Sequence, residues 1–160
     1  MIAAVRACSE QLEFGIRSVS RSVRDLTPEQ LAFVPPGFGN SIAALLLHIG
    51  ATEASVASLL AGREVPADVR QAVLLDRYQP AVGSPIAAAD PGETTESLLA
   101  KLQRARAELV TALEELTEAD LDRTLPFGDK PMPVPFFLNL LPFHIASHYG
   151  QIQIIKRFLK

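Results

Sequence analysis

"SIAALLLHIGATEASVASLLAG", residues 41–62, decides the fold. The stretch is rich in Ala and Leu, opens at an Asn40/Ser41 cap and stops at Gly62, the signature of one long helix. A histidine, His48, stands in it between Leu47 and Ile49, a setting that predicts burial. The stripe that contains it runs Ser41, Leu45, His48, Thr52 and Ser55. Polar atoms on a face that ought to be core point to a pocket rather than uninterrupted packing.

Working outward, the same helical period recurs three more times. Upstream, Val5, Cys8, Leu12, Ile16, Val19, Val23 and Leu26 repeat at three- and four-residue steps, with Arg6, Arg17, Arg21 and Arg24 off that stripe. Downstream, a helix over 94–116 carries Leu98, Leu102, Ala105, Leu109, Ala112 and Leu116 on its apolar side. A last helix runs from about Pro135 to the C-terminus, where Lys156, Arg157 and Lys160 face the negative end of its dipole. Pro142 lacks a backbone donor and is expected to bend or restart it. Strand signals are weak, with "DKPMPVP" at 129–135 the one doubtful stretch. Four long helical patterns in 160 residues predict an all-α, single-domain four-helix bundle spanning 1–160.

Two short segments echo each other. "LTPEQL" at 26–31 follows the first helix and "LTEADL" at 116–121 follows the third. In the first, Thr27, Pro28 and Gln30 form a capping-box pattern. Each leads through a Pro/Gly stretch, "FVPPGFGN" or "LPFGDKPMPVP", into a helix that carries histidine. Helices 1–2 and 3–4 therefore read as paired units. Between the pairs, residues 63–92 form a long connection that includes "RYQPAVGSPIAAADPGE". Such a length can cross a whole bundle, and a loop of this kind is either a lid or binding segment or a disordered linker.

Composition excludes several functions. With a net charge of −3 and basic residues scattered, there is no footprint for nucleic acid. The greasiest run, "IAALLLHI" at 42–49, is far short of a span of about 20 residues, so no membrane partner is expected. Arg6 and Glu10 interrupt the apolar run that a signal peptide needs. The single cysteine, Cys8, forms no internal disulfide and lies on an apolar stripe as a buried thiol. The chain reads as soluble and cytoplasmic.

The chemistry lies in the histidines. The chain has three, and "FHIASHYGQI" at 143–152 sets two of them, His144 and His148, four residues apart. Residues so spaced share one helix face and can chelate a single ion. Gln151 continues their stripe, and His48 is the third candidate ligand. The rival reading is that each ring is an ordinary packed or surface side chain. Three imidazoles with no evident fourth protein ligand leave coordination open, the pattern of a catalytic site. Gln151, Ser147, Asn40 and Ser41 are candidates to hold the far ring nitrogens, with helix capping the competing role for Asn40 and Ser41. Glu53, about 140° around the helix from His48, is poorly placed for the ion and reads as a solvated charge or ion-pair partner. Arg77 and Tyr78 in the long connection are candidates for either substrate contact or plain surface residence.

These residues carry a resemblance. "NSIAALLLHIGATEAS" around His48, "HIASHYGQI" near the C-terminus and the lead-in "LTPEQLAFVPPG" resemble the DinB/YfiT-like family over most of the chain, least in 63–92. The resemblance implies a four-helix bundle of up-down-down-up connectivity, a homodimer, and a divalent metal held by His48, His144 and His148. Zn or Ni ranks ahead of Fe or Mn. It further implies a transferase role by analogy: a thiol-cofactor-dependent S-transferase using a low-molecular-weight thiol on a small electrophilic molecule. A non-catalytic metal-binding dimeric scaffold and a metal-dependent hydrolase are the alternatives. Where relatives often carry tryptophan before the first histidine, this chain has Leu45, Leu46 and Leu47, and no tryptophan at all.

Overall fold

The computed structural model describes residues 1–78 and 86–159. The chain is mostly helical. Four long helices carry it: α1 (Ala3–Val23), α3 (Ile42–Ala61), α6 (Thr95–Glu114) and α7 (Val134–Lys156). Short ones lie between them: α2 (Pro28–Ala32), α4 (Ala67–Ala72) and α5 (Leu75–Tyr78). A 3-10 turn at Glu118–Asp122 precedes a hairpin of β1 (Thr124–Phe127) and β2 (Lys130–Pro133).

Each long helix starts and stops for a local reason. The Oγ of Ser41 accepts from the Ala44 amide and opens α3, and Gly62, in the left-handed region at φ 65°, closes it. Thr94 opens α6 in the same way through the Ser97 amide. The echoed segments are the same device used twice. Thr27 and Gln30 make a reciprocal capping box on α2, and Thr117 and Asp120 make one on the 3-10 turn. Thr27 thereby claims the chain one residue past Leu26, and α1 stops at Val23 rather than at Leu26.

The helices pack as two close pairs, α3 on α6 and α1 on α7, rather than as the sequence-consecutive pairs α1/α3 and α6/α7 expected from the echoed segments. The pairs meet through α3 against α7 and α1 against α6. The α1 stripe residues Val5, Cys8, Leu12, Val19 and Val23 are all buried, and so are Leu98, Leu102, Ala105, Leu109 and Ala112 of α6. Helix α3 is buried on nearly every side. With neighbours in α6, α7, α4 and α5, it has almost no solvent face left to make polar. At 20 residues it is also long and apolar enough to cross a membrane, a length the run 42–49 did not reveal, yet most of it is covered by protein.

Three expectations are corrected. The connection 63–92 is not simply loop: α4 and α5 lie in it, joined through Leu74 at φ 49°. Its residues 79–85, like Lys160, fall outside the described residues. The doubtful stretch 129–135 does contain a strand, β2, paired antiparallel with β1 from Thr124↔Pro133 to Phe127↔Lys130 around the Gly128–Asp129 turn. Pro142 does not restart the last helix, since α7 is continuous from Val134 to Lys156.

Candidate metal centre

The seam between α3 and α7 brings the three histidines together. His48 comes from the middle of α3, and His144 and His148 from consecutive turns of α7. The Nε2 of His144 lies 3.0 Å from the Nε2 of His48 and 3.0 Å from the Nε2 of His148. The ring centroids are 4.4–5.0 Å apart. Among the described residues this is a group of three potential ligand atoms with no Asp, Glu or Cys in it.

Two rings are oriented from behind. His48 donates its Nδ1–H to the backbone carbonyl of Tyr78 at 2.7 Å. His148 donates its Nδ1–H to the Oε1 of Gln151 at 2.8 Å. A neutral imidazole with its proton on Nδ1 has its lone pair on Nε2. Both tautomers are therefore fixed with lone pairs aimed at the ring of His144. Three nitrogens bound to one ion at about 2.0–2.1 Å sit roughly 3.0–3.4 Å from each other; the two spacings from His144 fit that donor set, and all three ligand atoms lie within 4.8 Å of one another.

Electrostatics favour ligation too. Burial lowers the pKa of all three rings. For His144 the effect is largest, burial together with the neighbouring His148 and His48 rings bringing it to about 3. Neutral imidazoles are the ligating form, so little proton release stands between these rings and an ion at neutral pH. His148 is only 9% exposed, whereas His48 and His144 are half-buried, so the cluster reaches the surface on one side.

The other site candidates divide. Gln151 meets His148 as its place on the stripe suggested. Ser41 is occupied as the cap of α3, Ser147 is exposed, and Asn40 is half-buried. None of these three bonds a histidine ring among the described residues: Ser41, at the start of α3, lies about two turns before His48, and Ser147 is turned to solvent. Glu53 is an ion-pair partner, but a buried one: its carboxylate takes two hydrogen bonds from Arg106, one of 2.7 Å through Nε. Cys8 is buried, and desolvation pushes its thiol up to about 11, which leaves it protonated and unreactive.

The group that sequence reasoning missed is the Tyr78 carbonyl. A backbone acceptor has no sequence signature. The side chains around it hold it still: the Tyr78 ring is buried and its hydroxyl donates to the Ala88 carbonyl at 3.0 Å. Arg77 donates to the same carbonyl and to both oxygens of Asp90 at 2.9 Å. Arg77 and Tyr78 thus tie down the far end of the connection.

Comparison with known proteins follows the same lines. The profile of the DinB superfamily matches residues 11–152, which include all three histidines. A crystal structure of a DinB-like protein from Bacillus cereus ATCC 10987 superposes with a TM-score of 0.63 at 19% identity, over 95% of this chain and 90% of that one. A search of curated proteins finds no significant match.

Proposed function

The chain belongs to the DinB superfamily, and from that premise we propose that it is a metal-dependent enzyme whose ion is held by His48, His144 and His148. The observation that carries the proposal is the convergence of three Nε2 atoms at 3.0 Å steps, with the outer two fixed in the ligating tautomer. Bound there, a divalent ion of the Zn or Ni kind supplies Lewis acidity that makes a coordinated thiol or water a nucleophile near neutral pH. The residues do the rest. Gln151 and the Tyr78 carbonyl orient the rings, and burial keeps them uncharged. The partly exposed edges of His48 and His144 leave a side from which a small molecule can approach.

Three protein donors leave a position for a reactant, and this favours an enzyme over a sealed scaffold. The reaction we propose is transfer of a low-molecular-weight thiol onto a small electrophile. Sulfur attacks the electrophilic carbon, its proton leaves to solvent, and the leaving group departs from that carbon. We take the four long helices to run up-down-down-up as a four-helix bundle, and the working protein to be a cytoplasmic homodimer.

The experiment is elemental analysis of purified protein beside a thiol-dependence assay. One equivalent of divalent metal, lost in His148→Ala while helicity stays, is expected. Unchanged stoichiometry in that variant would remove the site. Turnover of an electrophile such as a chlorinated nitrobenzene that does not respond to added thiol would replace transferase by hydrolase.

A further inference from the structure

The second open seam, between α1 and α6, holds a feature unrelated to the histidines. A groove of about 430 Å³ runs along it. Arg17 and Arg21 of α1, Arg24 just past its end and Arg106 of α6 line it together with Glu13, and Ile16 and Leu99 form its apolar part. Arg17, Arg21 and the helical C-cap residue Arg24 recur at four- and three-residue steps, so they stand in one row off the buried stripe.

The charges there do not cancel. Arg17 is paired with Glu13 at 3.7 Å, and Arg106 is held by Glu53 from beneath. Arg21 and Arg24 have no carboxylate within ion-pair reach among the described residues. The groove therefore carries two positive charges in excess on a chain whose net charge is −3. Arg106 is fixed by a carboxylate only 2% exposed, and Glu53 takes two of its five N–H groups, leaving the others for the groove. A guanidinium anchored in this way is pre-organised for a second anion at low entropic cost.

We propose that this groove is a binding site for a small organic dianion, a phosphate monoester or dicarboxylate with an apolar body. The guanidinium forks of Arg21, Arg24 and Arg106 take the acidic groups, and Ile16 and Leu99 take the apolar part. The volume falls within the range of small-molecule sites, and the arginine-to-apolar layout selects an amphipathic anion over a bare one. The site is independent of any ion at the α3/α7 seam.

Isothermal titration at low salt tests it with four probes: phenyl phosphate, phenylsuccinate, inorganic phosphate and benzyl alcohol. One of the two amphipathic dianions binds wild type saturably at 1:1, tighter than inorganic phosphate, while benzyl alcohol gives no saturation. Which dianion wins separates phosphate from dicarboxylate ligands. Arg21→Gln/Arg24→Gln, both positions being exposed, binds that probe at least about tenfold more weakly with unchanged circular dichroism. His148→Ala binds it as wild type does. Any of four results overturns the proposal: no saturable dianion binding up to about 10 mM, a loss under tenfold in the arginine variant, equal affinity for inorganic phosphate, or loss of binding in His148→Ala.

Discussion

Gln151 accepts a hydrogen bond from the Nδ1 of His148 at 2.8 Å, one turn further along α7, and so decides which nitrogen of that ring carries the lone pair. Outer hydrogen bonds of this kind typically contribute about 10–100-fold to metal affinity. Gln151→Leu keeps the helix and the side-chain volume but frees the ring to turn. Its Zn affinity, measured by competition with a chromogenic chelator, is expected to fall at least about tenfold. An affinity equal to wild type would mean that Gln151 does not orient the ligand.

The metal-free protein should lose stability on acidification in a defined window. Above pH 6.5, the ordinary value for histidine, the rings are neutral in both folded and unfolded chains. Below it the unfolded chain takes up protons that the buried rings refuse, so unfolding becomes easier. The loss continues down to about 3, where His144 itself protonates in the folded state. Urea midpoints of the apo protein should therefore decline from pH 6.5 downward. A His144→Gln variant should show a shallower decline, and an equally steep one would remove His144 as its source.

How much of this could be read from residues alone depended on whether the decisive group was a side chain in a periodic pattern. The α1 and α6 stripes, the Ser41 cap and the Gly62 stop all repeat known periods or caps, and they lie where the pattern put them except at the stripe ends, Leu26 and Leu116, which fall past the last residues of α1 and α6. The histidines were legible because the four-residue step of His144 and His148 fixes a common face, and because the apolar flanks of His48 predict burial. The hairpin was not. Its strands are four residues long and hold Pro126, Pro131 and Pro133, which β-pairing disfavours, so no alternation could emerge. Helices α4 and α5 are too short for a period to register. The Tyr78 carbonyl was beyond reach for a different reason, since any residue supplies one. Arg21 and Arg24 were visible as off-stripe charges, but only the α1/α6 packing gives them a shared groove.

The Glu53–Arg106 pair gives a prediction about specificity against stability. Glu53 is 2% exposed and Arg106 12%. Burial raises the Glu53 pKa, and the guanidinium of Arg106 opposes that rise. Removing the cation alone strands a carboxylate in the core. Arg106→Leu is expected to cost about 3–5 kcal/mol in urea unfolding. Replacing both, Glu53→Leu/Arg106→Leu, should recover most of that loss, because two apolar side chains need no solvation. If the double variant were as unstable as Arg106→Leu alone, the cost would come from lost packing rather than from an unpaired charge.

The last prediction concerns the α1/α7 contact that carries the histidine-bearing helix. Gly15 lies inside α1, where glycine is about 1 kcal/mol worse than alanine on propensity alone. It is tolerated because a Cβ there would lie 2.8 Å from Cγ2 of Ile145, the buried residue after His144. That methyl is fixed to a branched Cβ and cannot swing aside, so overpacking of about 1–3 kcal/mol outweighs the propensity gain. Gly15→Ala should therefore lower the thermal midpoint instead of raising it. Ile145→Leu removes the offending branch at similar volume, and in that background Gly15→Ala should become neutral or stabilising. A stabilising Gly15→Ala in the wild-type background would show that α1 and α7 are not in van der Waals contact at this turn.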